Sequence, residues 1–358
     1  MAPAPILAQL PPVVFGTSCL GNLYEVVPDE TKAAICRNWL TAAPGRLVAL
    51  DTAGKYGAGL ALEVMGRHLR AHGIAPGDVL ISNKLGWYRT PLRGPEPTFE
   101  QGVWFGLEHD AEQRISRAGI LACWEQGGEL LGGYTPQLVS VHDPDEYLGA
   151  AHSPADRARR LDDIREAYQA LFELKATGQT QAVGIGTKDW TVIRELAGEI
   201  DFDWVMLACS LTVYHHPPEL VAFLRELEAK SVVVINSAVF HAGFLTGGRY
   251  FDYRLPIEDD PRDARLFRWR ERFFALCREH NVAPAAACVR FGFAAPAVRA
   301  VALNTAKPER VAENAALAAA RVPDAFWAAL RAADLIRADY PLLRQEAWPQ
   351  ANAPATEG

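Results

Sequence analysis

The chain has 358 residues, of which 49% are apolar and 22% charged, and its net charge is −7. These values are ordinary for a folded protein with a large core, and the acidic balance argues against a nucleic-acid-binding surface, which needs clustered Lys and Arg. The segment after Met1 has neither a basic start nor a long apolar run. We therefore expect no signal peptide, no membrane span and a cytoplasmic location.

Short apolar runs alternate with amphipathic segments along the chain. The runs predicted as strands are 13–17, 47–50, 79–83, 138–141, 182–185, 204–208, 231–235 and 298–303. The segments predicted as helices are 28–40, 60–71, 110–131, 155–177, 190–197, 217–229, 264–280 and 309–320, followed by 326–337. A long connection over 85–109, rich in Gly, Pro and aromatic residues, is expected to pack over the mouth of a site.

The strand runs lack strict alternation of apolar and polar residues, which is typical of a parallel sheet buried on both faces. Eight strand–helix units in a chain of this length favour a closed barrel over an open sheet. The sequence therefore predicts an α/β protein made of one (β/α)8 TIM barrel domain, residues 1–358. The barrel is expected to run from about 13 to 322, with an appended helix in an extension over 323–358.

Two patterns bear on metals and disulfides. The six cysteines (Cys19, Cys36, Cys123, Cys209, Cys277 and Cys288) form no Cys-x-x-Cys motif, so free thiols in a reducing compartment explain them best. His215 and His216 are adjacent, and adjacent side chains on a strand or turn point apart. Because no third ligand is in register, we predict no metal site.

Four polar residues with catalytic potential occur where predicted strands meet their following loops. Asp51 ends the second strand, and Tyr56 follows it in a glycine-rich turn. Lys84 closes the third strand and His142 the fourth. Because the active sites of such barrels lie at the carboxyl ends of the strands, these four side chains are expected to converge. Each of them alone has an ordinary structural explanation, but their joint placement does not.

The residues around this set resemble the aldo-keto reductases. The resemblance lies in DTAGKYG (residues 51–57) with Glu63 and Gly66 after it, SNKLG around Lys84, and VHDPD around His142. It implies that Tyr56 is the general acid/base, tuned by Lys84 and Asp51. A neighbouring ammonium favours the phenolate, and the histidine donates a hydrogen bond to the substrate oxygen.

The resemblance also implies a nicotinamide cofactor, although no complete dinucleotide fingerprint is present. In a barrel, phosphates bind at the loops after strands seven and eight, here 237–248 and 304–314. The residues expected to contact the cofactor are Gly16, Thr17, Asp51, Thr187, Phe240, Gly243, Leu245, Asn304, Thr305, Arg310 and Asn314.

The chain departs from the family pattern at the cofactor. Asn304-Thr305 stands where members that use the phosphorylated cofactor commonly carry Lys-Ser, whereas Arg310 is retained. We therefore expect NAD, with some use of NADP. The Ser-Asn pair that holds the carboxamide is replaced by Gly186-Thr187, and Phe240 is only a substitute for the aromatic that stacks on nicotinamide.

Three segments carry a finer resemblance, to bacterial aldose 1-dehydrogenases and pyridoxal 4-dehydrogenases: residues 142–147 (HDPDEY), 184–190 (GIGTKDW) and 239–248 (VFHAGFLTGG). They imply oxidation of a sugar such as L-fucose, L-galactose or D-arabinose at C1 to the lactone. Substrate contacts are expected from Tyr56, Trp87 and His142. The alternatives are an NADPH-dependent aldehyde or ketone reductase, a pyridoxal 4-dehydrogenase, and a barrel that binds ligands without catalysis. We expect small-molecule partners and a monomer or small homo-oligomer.

Overall fold

The computed structural model describes residues 4–42 and 47–340. Its centre is a closed barrel of eight parallel strands in the order β1, β10, β9, β8, β7, β6, β3, β2. The strands are β1 (Val13–Gly16), β2 (Val48–Ala53), β3 (Val79–Leu85), β4 (Trp87–Pro91), β5 (His109–Gln113), β6 (Leu138–His142), β7 (Ala182–Thr187), β8 (Trp204–Ala208), β9 (Val233–Ser237) and β10 (Val298–Leu303). The predicted (β/α)8 barrel is confirmed.

Helices surround the barrel. They are α1 (Asp29–Ala42), α2 (Leu60–Ala71), α3 (Arg117–Leu131), α4 (Pro144–Gly149), α5 (Pro154–Ala176), α6 (Trp190–Leu196), α7 (Pro218–Ala229), α8 (Ala264–Glu279), α9 (Pro284–Phe293), α10 (Arg310–Leu317) and α11 (Asp324–Ala332). Short 3-10 helices span Pro5–Gln9, Ser18–Gly21, Pro76–Asp78 and Phe244–Thr246. None of the described helices is both long and apolar enough to cross a membrane.

The barrel interior is apolar at its amino-terminal end. Inward-facing residues of the strands pack there against Ile6, Leu7 and Leu10 of the N-terminal segment, which closes this end. Trp204 fills the axis because β7 carries Gly184 beside it: a Cβ at Gly184 would lie 2.4 Å from the indole ring. The amino-terminal end is thus a packed core, which leaves the carboxyl end for chemistry.

Two predictions about the connection after β3 were wrong. Trp87–Pro91 and His109–Gln113 pair as an antiparallel hairpin, so this region is not a loop throughout. Helix α3 consequently begins at Arg117, not at residue 110. The prediction also omitted α9, a short helix rich in small residues.

The C-terminal extension docks on the outside of the barrel. Phe326 of α11 packs at 6.4 Å from the ring of Phe273 in α8, and Tyr340 stacks at 4.1 Å on Phe291 in α9. The predicted appended helix therefore exists, over 324–332 in place of 326–337. Residues 341–358, which complete the predicted extension, lie outside the described residues. The six cysteines are all free, as predicted.

Candidate active site

The structure brings Asp51, Tyr56, Lys84 and His142 together at the carboxyl end of the barrel. Asp51, the predicted end of the second strand, lies inside β2, which continues two residues further to Ala53, and it opposes Ser82 of β3. Since alternate residues of a strand share a face, Ser82 and Lys84 both reach it. The Ser82 hydroxyl donates to Asp51 Oδ1 over 3.1 Å, and the Lys84 ammonium pairs with Oδ2.

Small residues make room for the ion pair and for the tyrosine. A Cβ at Gly186 of β7 would lie 2.9 Å from Lys84 Cδ, so glycine there lets the lysine cross the barrel mouth. Gly57 has a φ of 60°, and a Cβ there would lie 2.4 Å from the carbonyl oxygen of Gly21. The turn that carries Tyr56 is therefore pressed against the segment after β1, which fixes the phenol's position.

Tyr56 lies between Lys84 and His142. The Lys84 ammonium is 4.8 Å from the centroid of the Tyr56 ring, and the His142 ring meets Tyr56 edge-on at 5.8 Å. Asp51, Lys84 and His142 are each at most 7% exposed. The four groups thus form one compact, largely dry cluster in which charges interact strongly.

Burial controls the protonation of this cluster. It raises the pKa of Tyr56 to about 12, although Lys84 pulls that pKa down. The expected lowering by Lys84 is present, but desolvation of the phenolate outweighs it. Burial also lowers the pKa of His142 well below its usual value, and the charges of Lys84 and Lys55 lower it further. Around neutral pH Tyr56 is a phenol and His142 a neutral imidazole.

Burial tends to lower the pKa of Lys84, but Asp51 and Tyr56 more than offset this, and the pKa is raised. Lys84 therefore stays charged beside Tyr56. A phenol, a fixed cation and a neutral imidazole around one space can exchange a proton with a substrate oxygen and stabilise charge that develops on it.

Comparisons with known proteins identify the family of the chain. The family model described as the aldo/keto reductase family matches residues 12–335. The chain belongs to the aldo-keto reductase family. It is an NAD(P)-dependent oxidoreductase that acts on small molecules.

Two curated relatives are similar at the sequence level. A pyridoxal 4-dehydrogenase from Microbacterium luteolum is 26% identical over 333 residues, covering 90% of this chain and 93% of that protein. A D-threo-aldose 1-dehydrogenase from a Pseudomonas species is 26% identical over 344 residues, covering 91% and 95%.

Solved structures share the fold. A glycerol dehydrogenase from Gluconobacter oxydans has a TM-score of 0.64 at 20% identity, covering 90% of this chain and 92% of that one. The holo form of an aldo-keto reductase from Bacillus halodurans has a TM-score of 0.64 at 19% identity, covering 91% and 92%.

An aldo-keto reductase needs room for its nicotinamide cofactor, and the predicted phosphate loops offer it. Gly243 and Gly247 flank the short helix 244–246 with φ values of 90° and 98°. A Cβ at Gly247 would meet nothing within 4 Å, so open space lies beside this backbone. Buried Thr17, at the end of β1, has a hydroxyl with no hydrogen-bond partner among the described residues. Both observations fit a polar ligand lying across these strand ends.

The second loop lies beside the first strand. Asn304 donates to the Ser18 hydroxyl over 2.9 Å, and its Cβ is 3.3 Å from the place of a Cβ on Gly16. Thr305 accepts from the amide of Lys307, while Arg310 begins α10 on the exposed surface. Asn314 lies one turn further along α10. These positions suit the adenosine half of a dinucleotide.

The other predicted cofactor contacts differ in how deeply they are buried. Thr187 ends β7 and is 3% exposed, and Phe240 is half-buried between the two main core clusters. Leu245 is fully buried, and its amide donates to the carbonyl of Phe240. The side chain and the N–H of Leu245 are therefore both engaged within the protein, and the amides of Gly243 and Gly247 likewise donate to the carbonyls of Phe240 and Phe244.

Trp87, the predicted substrate contact, lies at the start of the hairpin and is 9% exposed. Its indole N–H has no hydrogen-bond partner among the described residues. The Tyr56 ring also lies 6.0 Å from that of Trp104, in the loop between the hairpin strands. The long connection thus supplies the aromatic wall beside the catalytic cluster, as expected from its composition.

The ring of His216, the second of the two adjacent histidines, has structural partners. Both ring nitrogens of His216 are used: Nδ1 contacts the carbonyl of Thr212, and Nε2 accepts from the amide of Arg337. His216 therefore fastens the C-terminal extension to the loop after β8.

One possible set of metal ligands was not apparent from sequence spacing. It consists of Cys209, His241 and Asp252, whose ligand atoms lie within 4.8 Å of one another. His241 Nδ1 is 2.9 Å from both Asp252 oxygens, and Nε2 is 2.7 Å from the Thr212 hydroxyl. Hydrogen bonds explain this arrangement without a cation.

Sequence reasoning also missed Lys55, which is 2% exposed although it directly precedes Tyr56. Its ammonium pairs with Asp143, Glu146 and Glu100. The available signal was the acidic segment 143–146 after His142, because a buried lysine needs carboxylates as partners.

Proposed function

We propose that this aldo-keto reductase oxidises an aldose of the L-fucose, L-galactose or D-arabinose type at C1 to the lactone. The proposal rests on the assembly of Tyr56, Lys84, Asp51 and His142 at one barrel mouth beside the indole of Trp87. The similarity to a D-threo-aldose 1-dehydrogenase supports it. An aromatic wall next to polar groups suits a sugar, which presents an apolar face and hydroxyl edges.

A nicotinamide cofactor, when bound, would supply the acceptor for the hydride of C1. Tyr56 would accept the proton of the C1 hydroxyl as a phenolate, which the Lys84 ammonium stabilises. Because the pKa of Tyr56 is raised to about 12, the phenolate is the minor form at neutral pH. Asp51 would hold that ammonium charged and in place, since the pair is buried. His142, neutral because its pKa is lowered, would donate a hydrogen bond to the same oxygen and orient it.

For the cofactor we propose NAD, with NADP accepted less well. Asn304 offers no positive charge to a 2′-phosphate, whereas Arg310 lies at the exposed start of α10 and can reach one. Arginine binds phosphate through charge-assisted hydrogen bonds, so some use of NADP follows.

A second candidate is the reduction of aldehydes with NADPH. The pKa of Tyr56, raised to about 12, keeps the phenol protonated at neutral pH, and a protonated phenol is the form that reduction needs. Oxidation of pyridoxal is a third candidate, supported by the similarity to a pyridoxal 4-dehydrogenase.

The decisive experiment follows absorbance of the reduced nicotinamide with NAD or NADP and a panel of aldoses plus pyridoxal. Reduction of NAD by L-fucose, L-galactose or D-arabinose is expected. Activity on simple aldehydes with NADPH, and none on any aldose, would replace the proposal by the reductase function. Activity on pyridoxal alone would replace it by the third candidate.

A further inference from the structure

A second buried lysine stands beside the reacting groups. Lys55 Nζ lies 2.8 Å from Glu100, 2.7 Å from Asp143 and 2.8 Å from Glu146. Burial lowers the pKa of Lys55, but its three carboxylates together reverse this, and the pKa is raised. The Lys55 ammonium therefore stays charged around neutral pH.

The three carboxylates come from two parts of the chain. Glu100 lies in the connection between the hairpin strands, Asp143 directly after β6, and Glu146 in the first turn of α4. Lys188, after β7, pairs with Glu146 over 2.7 Å and lies 3.6 Å from Glu100. Lys55 therefore ties two segments of the barrel mouth, the hairpin connection and the segment after β6, to the turn that carries Tyr56.

The cluster adjoins the space where a substrate oxygen would bind. Asp143 follows His142, and its Oδ1 lies 3.6 Å from His142 Nε2. Its Oδ2 is held by Lys55, whereas Oδ1 accepts no hydrogen bond within the described residues. On the other side, the Lys55 ammonium lies 4.7 Å from the centroid of the Trp87 ring. The buried indole N–H of Trp87 has no partner there either.

We propose that Asp143 accepts a hydrogen bond from a substrate hydroxyl on the carbon next to the reacting one, and that Lys55 is the positioning residue that holds Asp143 for this. Oδ1 is close to Nε2 of His142, which would bind the reacting oxygen, and neighbouring hydroxyl oxygens are separated by about one hydrogen-bond length. The substrate class is thus a neutral 2-hydroxy aldehyde or the corresponding sugar.

The charge of the cluster disfavours a substrate with a carboxylate at that carbon. The cluster holds three carboxylates, Glu100, Asp143 and Glu146, against two ammonium groups, those of Lys55 and Lys188. A substrate carboxylate would add a further negative charge next to Asp143, whereas a hydroxyl donates to it. Removing the acceptor of a hydrogen bond to a charged group costs about tenfold or more in relative binding.

The inference rests on the proposed function in one respect: Tyr56 and His142 are taken to bind the reacting oxygen. Kinetics in the reduction direction test the role of Asp143 separately from the proposed sugar oxidation. Lactaldehyde and propanal differ in the hydroxyl next to the carbonyl, and glyoxylate carries a carboxylate there. With NADPH or NADH, the wild type should prefer lactaldehyde over propanal in kcat/KM by about tenfold and use glyoxylate worst.

Asp143→Asn should reduce that preference about tenfold, because the amide is a weaker, uncharged acceptor. Lys55→Met should reduce it too, whereas Lys55→Arg, which keeps the charge, should restore most of it. The matched control is Asp162→Asn, which removes an exposed carboxylate paired with Arg165 on α5 and should leave the preference alone.

An equal kcat/KM of the wild type for lactaldehyde and propanal would overturn the proposal without any variant. So would an unchanged preference in an active Asp143→Asn enzyme. Failure of every aldose as a substrate, with the lactaldehyde preference intact and lost in Asp143→Asn, would instead reject the proposed sugar oxidation and keep this inference.

Discussion

Two lysines flank Tyr56, and they are equally buried, at 2% exposure each. Lys84 comes from a barrel strand and pairs with one carboxylate, Asp51, on the neighbouring strand. Lys55 comes from a turn and gathers three carboxylates from loops. A strand-borne pair is fixed by the hydrogen-bonded register of the sheet, whereas a loop-borne cluster changes whenever a loop does. The first arrangement suits chemistry common to all substrates, and the second suits the choice among them.

The largest effect should come from Tyr56, which lies between the two lysines. Tyr56→Phe removes the proton donor and acceptor, so turnover should fall by about 10²–10⁴-fold on every substrate. Cofactor binding should persist, and fluorescence of bound reduced nicotinamide would measure it. Sugar oxidation at the wild-type rate in this variant would remove Tyr56 from the mechanism.

Lys84→Met and Lys55→Met sharpen the comparison directly. Each leaves buried carboxylate charge without its partner, which should lower the free energy of unfolding by about 3 kcal/mol, measured by urea denaturation. We expect Lys84→Met to lower kcat on lactaldehyde and propanal alike, because Tyr56 loses its cation. Lys55→Met should lower kcat/KM for lactaldehyde far more than for propanal. Equal losses on both aldehydes in Lys55→Met would erase the distinction between the two lysines.

The pH dependence of kcat/KM should show whether Lys55 acts on His142. The charged or titratable groups that face His142 are Lys84, Lys55, Lys188, Glu146, Asp143 and Tyr56. Burial holds the pKa of His142 low, and Lys55 lowers it further, so His142 stays neutral well below pH 6.5. In Lys55→Met that pKa should rise, and the acid limb of kcat/KM should move to higher pH. A pH profile identical to that of the wild type would show that Lys55 does not act on His142.

The same shift bears on stability. A histidine whose pKa is lower in the folded state is protonated more readily in the unfolded chain. Stability is therefore retained above pH 6.5 and lost as the pH falls towards the folded-state value. His216, whose pKa burial lowers to about 4, should contribute in the same direction. The urea midpoint of the wild type is expected to fall between pH 6.5 and 4, and less so in His216→Phe.

The smallest effect should lie at the adenosine end of the cofactor site. Arg310→Met should reduce kcat/KM for NADP about tenfold and leave that for NAD nearly unchanged, since only the 2′-phosphate loses a partner. Asn304→Lys should favour NADP by a similar factor. Steady-state kinetics with both cofactors would measure this, and an equal loss with NAD in Arg310→Met would contradict the assigned contact.

Local patterns were sufficient for much of the barrel. Strands such as 204–208 and 298–303 lie where the sequence predicted them, because a strand buried on both faces is a continuous apolar run. The hairpin was missed because its pairing joins Trp87 to Gln113, and residues so far apart in sequence leave no local period. Residues 110–113, which lie in β5, were assigned to a helix for the same reason.

In the candidate site, too, some residues could be predicted from local sequence and others only from the tertiary structure. The sequence by itself determined that Asp51, Lys84 and His142 lie at the carboxyl ends of barrel strands and that Tyr56 follows one of them, and parallel strands bring their carboxyl ends to one mouth. Only the tertiary structure decided that Lys55 is buried and charged, since its partners Asp143 and Glu146 lie 88 and 91 residues away. A buried ion cluster depends on distances across the fold, and charges in a sequence do not reveal which of them will meet.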